Sequence, residues 1–196
     1  MPAKPILFLL LLLALLSACA GTPAAPTAAA SQLDAEQTAV YAALVQTEFP
    51  ADMLVIMDTT ATDASSTPLD TTLGYVLKNL GAVDPGTVAS FRARNAAPGA
   101  FPAGLSLGVP YQLLSQARLN ALFTLNADGW QMFYDQFPHA PGILTLSAVG
   151  FDVAFDQALV YAGIQSQALD GSGTYYLLVK TNGAWTVSQR VQVWTS

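Results

Sequence analysis

The 196-residue chain sets seven basic residues against thirteen acidic ones, a net charge of −6, and contains one histidine and one cysteine. That balance opposes nucleic-acid binding, which needs clustered Lys and Arg to displace counterions, and equally opposes a polybasic grip on anionic lipid. A lone cysteine rules out an intramolecular disulfide, and one His with one Cys falls short of the three or four ligands of a zinc site.

The chain begins MPAKPILFLLLLLALLSAC. Lys4 precedes an apolar run from Ile6 to Leu16, and the small residues Ser17 and Ala18 follow, which is the layout of an export signal. The run is shorter than the ~20 apolar residues a membrane-spanning helix needs. Leu16-Ser17-Ala18-Cys19 resembles the lipobox of bacterial lipoproteins. The resemblance implies diacylglyceryl transfer to the Cys19 sulfur, cleavage after Ala18 and acylation of the new amino end. Membrane attachment would then rest on acyl chains, at ~0.8 kcal/mol per buried methylene, and would place the domain in the bacterial envelope, facing away from the cytoplasm. Behind Cys19, AGTPAAPTAAAS holds only small residues and proline, a tether unable to build a core. The expected organisation is a leader over 1–18, a tether over 19–31 and one globular domain over 32–196, roughly 165 residues and large enough for a real core. With Lys4 removed, six basic residues face thirteen acidic ones, a net charge of −7.

Within the domain, Ser31 with Asp34 forms a variant capping box, and Leu33, Val40, Tyr41, Leu44 and Val45 follow at helical spacing until Pro50. Residues 53–60, MLVIMDTT, read as a strand. Residues 67–81, TPLDTTLGYVLKNLG, predict a helix capped by Thr67, with Pro68 in its first turn, an apolar face of Leu69, Leu73, Val76, Leu77 and Leu80, and Gly81 ending it in a left-handed conformation. A third helix begins at DPGTVASF with Asp84 as its cap, and 96–104 is a loop by its Pro and Gly content. In LLSQARLNALF, Ser115 caps a helix with Leu114 and Leu119 placed as a hydrophobic staple. DGWQMFYDQFP spaces Trp130, Phe133, Tyr134 and Phe137 as one helical stripe, which packs on the sheet or lines a ligand groove.

The last fifty-odd residues change period. ILTLSAVGF, QALVYAGI, GTYYLLVKT and AWTVSQRVQVW predict four strands, with Asn182-Gly183 as a type I′ hairpin turn. In the final strand Trp185, Val187, Val191 and Val193 share one parity, so one face should be core and the other wet. Helices followed by a meander predict an α+β fold, with the helices on one face of a four-stranded antiparallel sheet. The arrangement could be cystatin-like, and KTNGAWTV resembles the closing hairpin of NTF2-like domains. The segments VIMDTTATD, LNALF, GWQMFYDQFP, GILTLSAVGFD, ALVYAG, GTYYLLVKTNGAWTV and VQVW together resemble a family of uncharacterised secreted bacterial proteins, many of them lipoproteins. No activity is known for that family, so the resemblance implies an exported domain and transfers no functional residue.

Catalytic constellations are sparse. Asp58, Asp63, Asp70, Asp128 and Asp170 sit in turn-forming segments without the EF-hand pattern of acids, glycine and closing glutamate. His139 lies between Pro138 and Pro141, a surface turn, and no G-x-S-x-G elbow accompanies it; DGSGT around Ser172 reads as a loop between strands. The only glutamates, Glu36 and Glu48, fall on the polar side of the first helix. Asp152 and Asp156 flank a tight connection. No phosphate-binding glycine loop or dinucleotide fingerprint occurs, so no cofactor is implied. The leading expectation is a non-catalytic, lipid-anchored domain that binds a protein, peptide or small ligand, with Trp130, Tyr134, Tyr175 and Tyr176 as groove candidates and His139 as a further contact. The competing expectation is a carboxylate-dependent envelope hydrolase built on Asp152, Asp156 and His139. A third is a structural partner in an envelope complex, which would show a contiguous exposed apolar patch.

Overall fold

Helix α1 (Ala28–Glu48) starts three residues before Ser31. Alanine has the highest helix propensity, so the run at 28–30 extends the helix into the segment read as tether, and Ser31 lies inside it instead of capping it. The computed structural model describes residues 28–62, 67–123 and 128–196. The leader, Cys19 with its lipobox, residues 19–27 and Asp63 lie outside the described residues. Val40, Tyr41, Leu44 and Val45 are fully buried, as their spacing predicts.

Strand β1 (Leu54–Met57) is buried at every position. Helix α2 (Leu69–Asn79) opens on the Pro68 carbonyl, which accepts from the Thr71 and Thr72 amides. It ends at Leu80 in extended conformation, not at a left-handed Gly81. The Gly81 amide instead donates to Gln189 Oε1 at 2.6 Å, a partner from the far end of the chain that removes the need for a local cap. Helix α3 (Pro85–Arg94) is capped as expected: Asp84 accepts from the Gly86 and Thr87 amides. Strand β2 (Tyr111–Leu114) leads into α4 (Gln116–Phe123), where Ser115 accepts from the Arg118 amide at 3.2 Å. Leu114 and Leu119 share one apolar cluster, as the staple requires. Helix α5 (Gly129–Gln136) follows, then β3 (Ile143–Leu146), β4 (Gly150–Phe151), β5 (Gln157–Gln167), β6 (Asp170–Thr181) and β7 (Ala184–Thr195). The β6–β7 turn has φ of 52° at Asn182 and 82° at Gly183, both positive as a type I′ turn demands.

The fold is α+β, with five helices and a mixed sheet of seven strands among the described residues. The order is β2-β1-β3-β5-β6-β7, and β4 pairs beside β5. The expected four-stranded meander is only the antiparallel part, β3-β5-β6-β7, of this larger sheet. It is extended because β1 pairs in parallel with both β3 and β2. A strand buried on both faces must satisfy its backbone on both edges, and the short YQLL segment supplies the second edge.

The helices occupy both faces, not one. Helix α1 packs on one face against Ile56, Leu144, Val160, Tyr176 and Leu178. On the other face α2 and α3 cover Leu159, Tyr161, Tyr175 and Leu177, while α4 and α5 cover Val55, Met57 and Ile143. Strand β7 serves both faces through a bulge. Leu178 pairs with Val187 but Leu177 with Gln189, so Ser188 is an inserted residue. Consequently Trp185 and Val187 join the α1 core, whereas Val191 and Val193 join the α2–α3 core, and the expected division into a dry and a wet face does not occur.

Both glutamates of α1 also depart from expectation, because they fasten the helix to the β6–β7 hairpin. Glu36 pairs with Lys180 and accepts from Trp185 Nε1 at 2.8 Å. Burial alone would raise the Glu36 pKa, but the hydrogen bonds from Lys180 and Trp185 and the lysine charge outweigh it and hold the carboxyl below its usual value. Glu48 pairs with Arg190 at 2.7 Å.

Candidate functional site

The two helix pairs on the second face sit at opposite ends of the sheet, α4–α5 over β1 and β3, α2–α3 over β5 to β7. Beside α4–α5, over the strands they leave uncovered, lies a cavity of about 470 Å³ that opens to solvent. Its deep surface comes from buried Met57, Ile143, Tyr161 and Gly163. Leu119, Phe123 and Trp130 form the wall on the α4–α5 side, and Trp194 of β7 forms the opposite one.

Two glycines make that second wall possible. Gly163 and Gly173 face each other across β5 and β6, and Trp194 stands opposite Gly173 on β7. A Cβ at Gly173 would overlap Trp194 Nε1, and one at Gly163 would lie 2.6 Å from the Tyr161 hydroxyl. With no side chain on either strand, the Trp194 indole lies against the sheet and donates to the Tyr161 oxygen at 2.9 Å. On the other side Trp130 is braced edge-on by Phe123 and Phe133, with ring centroids 4.8 and 5.7 Å away. Polar groups gather at the outer rim. Gln116 and Asn120, one turn apart on α4, are exposed and share an amide hydrogen bond of 2.8 Å. Thr59, Thr145 and Gln165 add to the polar lining, and among the described residues no lining residue is charged.

Of the groove candidates, only Trp130 lines this cavity. The half-buried Tyr134 donates its hydroxyl to the Ser166 carbonyl at 2.8 Å, and burial, with the Asp170 charge, pushes its pKa up. Tyr175 is buried in the α2–α3 core and donates to the Thr62 carbonyl. Tyr176 lies in the α1 core; burial and the nearby Glu48 charge raise its pKa. Successive strand residues face opposite sides, so Tyr175 and Tyr176 cannot share a groove. His139 is an exposed turn residue between α5 and β3. Phe123, Tyr161 and Trp194, none of them among the groove candidates, are the aromatics that join Trp130.

The hydrolase constellation is not brought together. Asp152 Oδ1 accepts from the Asp156 and Gln157 amides at 2.8 and 2.9 Å, closing the β4–β5 turn. Asp156 precedes Gln157 at one end of β5, whereas Ile143, just past His139, pairs with Gln165 near the other. At ~3.3 Å per residue the two ends are about 26 Å apart. Ser172 lies in strand β6, not in a loop. Among the described residues no three metal-ligating side chains gather, and no helix is long and apolar enough to cross a membrane. Asp70 is paired with Arg92, and Asp170 accepts from the Ser166 hydroxyl. Exposed large apolar side chains among the described residues are Tyr75, Val153 and Leu169, which lie on α2 and on two separate turns rather than in one patch.

Compared with known protein families, curated proteins and solved structures, the chain matches none.

Proposed function

We propose that this chain is a lipid-anchored, extracytoplasmic binding domain, and that the cavity between α4–α5 and the sheet is its ligand site. The carrying observation is the cavity itself: about 470 Å³, lined mainly by apolar and aromatic side chains with a few uncharged polar groups. Ligand pockets of ~300–1,000 Å³ share that build. Among the described residues the site holds aromatic walls and hydrogen-bonding amides but no acid, base or nucleophile pair, which favours binding over turnover. The lipobox resemblance at Cys19 supports the anchor, and the resemblance of the later segments to secreted bacterial lipoproteins supports the same compartment. Helix α1 lying across β3, β5, β6 and β7 supports a cystatin-like reading of that part of the sheet.

Two experiments test the two halves. Cys19→Ser should move the protein from the membrane to the soluble fraction of cells; an unchanged membrane fraction refutes the anchor. Soaking crystals with a fragment library should place hits in the cavity; hits confined to other surfaces refute the site.

A further inference from the structure

The chemistry of the cavity also restricts what enters it, and the restriction rests on the cavity being the ligand site. We infer that the ligand is an uncharged molecule built on a flat apolar ring with hydroxyl or amide groups along one edge. Two features carry this. First, among the described residues no Asp, Glu, Lys, Arg or His lines the cavity, and the nearest charged side chains of α4 and α5 are engaged elsewhere. Arg118 donates to Gln136 Oε1 at 2.8 Å and lies over the Phe137 ring, and Asp135 accepts from Gln131 at 2.9 Å. An ionised ligand buried here would lose its hydration without gaining a counter-charge. Second, the aromatic groups stand on two sides, Phe123 and Trp130 against Trp194, with Tyr161 at the base. A flat ring between such walls gains stacked or edge contacts that a flexible chain of equal area does not, and it freezes fewer torsions on binding. The exposed amides of Gln116 and Asn120 lie toward the mouth, so the ligand's polar edge faces outward.

A matched series tests this on the full chain carrying Cys19→Ser, which leaves no acyl chain to compete for the probes. Isothermal calorimetry would compare 2-naphthylmethanol, 2-naphthoate, 2-naphthylmethylammonium and 1-octanol. The neutral alcohol should bind, with both ions at least about tenfold weaker for want of a counter-charge and 1-octanol several-fold weaker. Trp130→Ala and Asn120→Trp should each abolish the binding. The second variant is placed at an exposed helix position so that it blocks the mouth without disturbing the core. An ion that binds as tightly as the alcohol, with the same Asn120→Trp sensitivity, overturns the inference and leaves the site reading intact. Equal binding of 1-octanol overturns the flat-ring requirement. Binding by none of the four probes, or binding that both variants leave unchanged, overturns the inference and the site together.

Discussion

The Gly173→Ala variant tests the construction of the cavity wall more sharply than any change at the aromatics. Its added methyl would overlap Trp194 Nε1 and lie 2.5 Å from both Trp194 Cε2 and the Tyr161 hydroxyl. The indole must move, at an overpacking cost of ~1–3 kcal/mol, and its hydrogen bond to Tyr161 adds about 1 kcal/mol when broken. Against this, replacing glycine inside a strand recovers ~0.5–1 kcal/mol of backbone entropy. The φ of Gly173 is not positive, so no backbone strain enters. The net expectation is a loss of about 1–3 kcal/mol, read as a lower urea midpoint at constant m value. The decisive comparison repeats Gly173→Ala in a Trp194→Ala, Tyr161→Phe background, which removes all three close atoms. There the substitution should be neutral or stabilising by up to about 1 kcal/mol. An equal loss in both backgrounds would refute the claim that the paired glycines exist to seat the indole.

Three further outcomes follow from the local geometry. Glu36→Gln should cost about 1–3 kcal/mol at pH 7, because its charged hydrogen bonds to Lys180 and Trp185 are weakened. The folded-state pKa of Glu36 is lowered, so its stabilisation is complete above the unfolded carboxyl value and disappears as pH falls through the folded one. Urea midpoints of wild type and variant should therefore converge below about pH 4.5; a constant gap down to pH 3 would refute the assignment. Gly183→Ala puts a side chain at φ 82° in open space, and a loss of about 1–2 kcal/mol is expected from backbone strain alone; thermal unfolding measures it. Asp84→Ala removes the acceptor for two amides of α3 and should cost ~1 kcal/mol, whereas Asp84→Asn should retain most of the stability in the same assay.

Local signals in the sequence led to correct elements wherever the decisive forces act over a few residues. Asp84 before Pro85, Ser115 before α4, and Asn182-Gly183 all reappear as expected because caps and tight turns are settled by their own backbone. The errors arise where a distant partner decides. Gly81 loses its capping role to Gln189, over a hundred residues away. Tyr111–Leu114 becomes a strand only because β1 offers it an edge. Glu36 and Glu48 looked solvent-facing on a helical wheel, yet their partners Lys180, Trp185 and Arg190 arrive with the final hairpin.

The binding site was the least legible part, for a reason specific to β7. Parity counted from Trp185 puts Trp194 on the side of Thr186 and Arg190, away from Val191 and Val193. Two irregularities in pairing alter that count, one around Ser188 and a second between the Gly173 and Thr174 pairs. The second brings Trp194 opposite Gly173, beside the Tyr161 hydroxyl. A bulge leaves no mark in the hydrophobic pattern of its own strand, so the alternation of β7 could not reveal it. The trace lies in the neighbours. Gly163 and Gly173 fall in the interiors of β5 and β6 at positions that pair with each other. Glycine weakens a strand interior unless something approaches its backbone closely. Read that way, two glycines at matching depth in consecutive strands point to a large side chain laid across them, and the tryptophan near the end of the third strand is the available candidate.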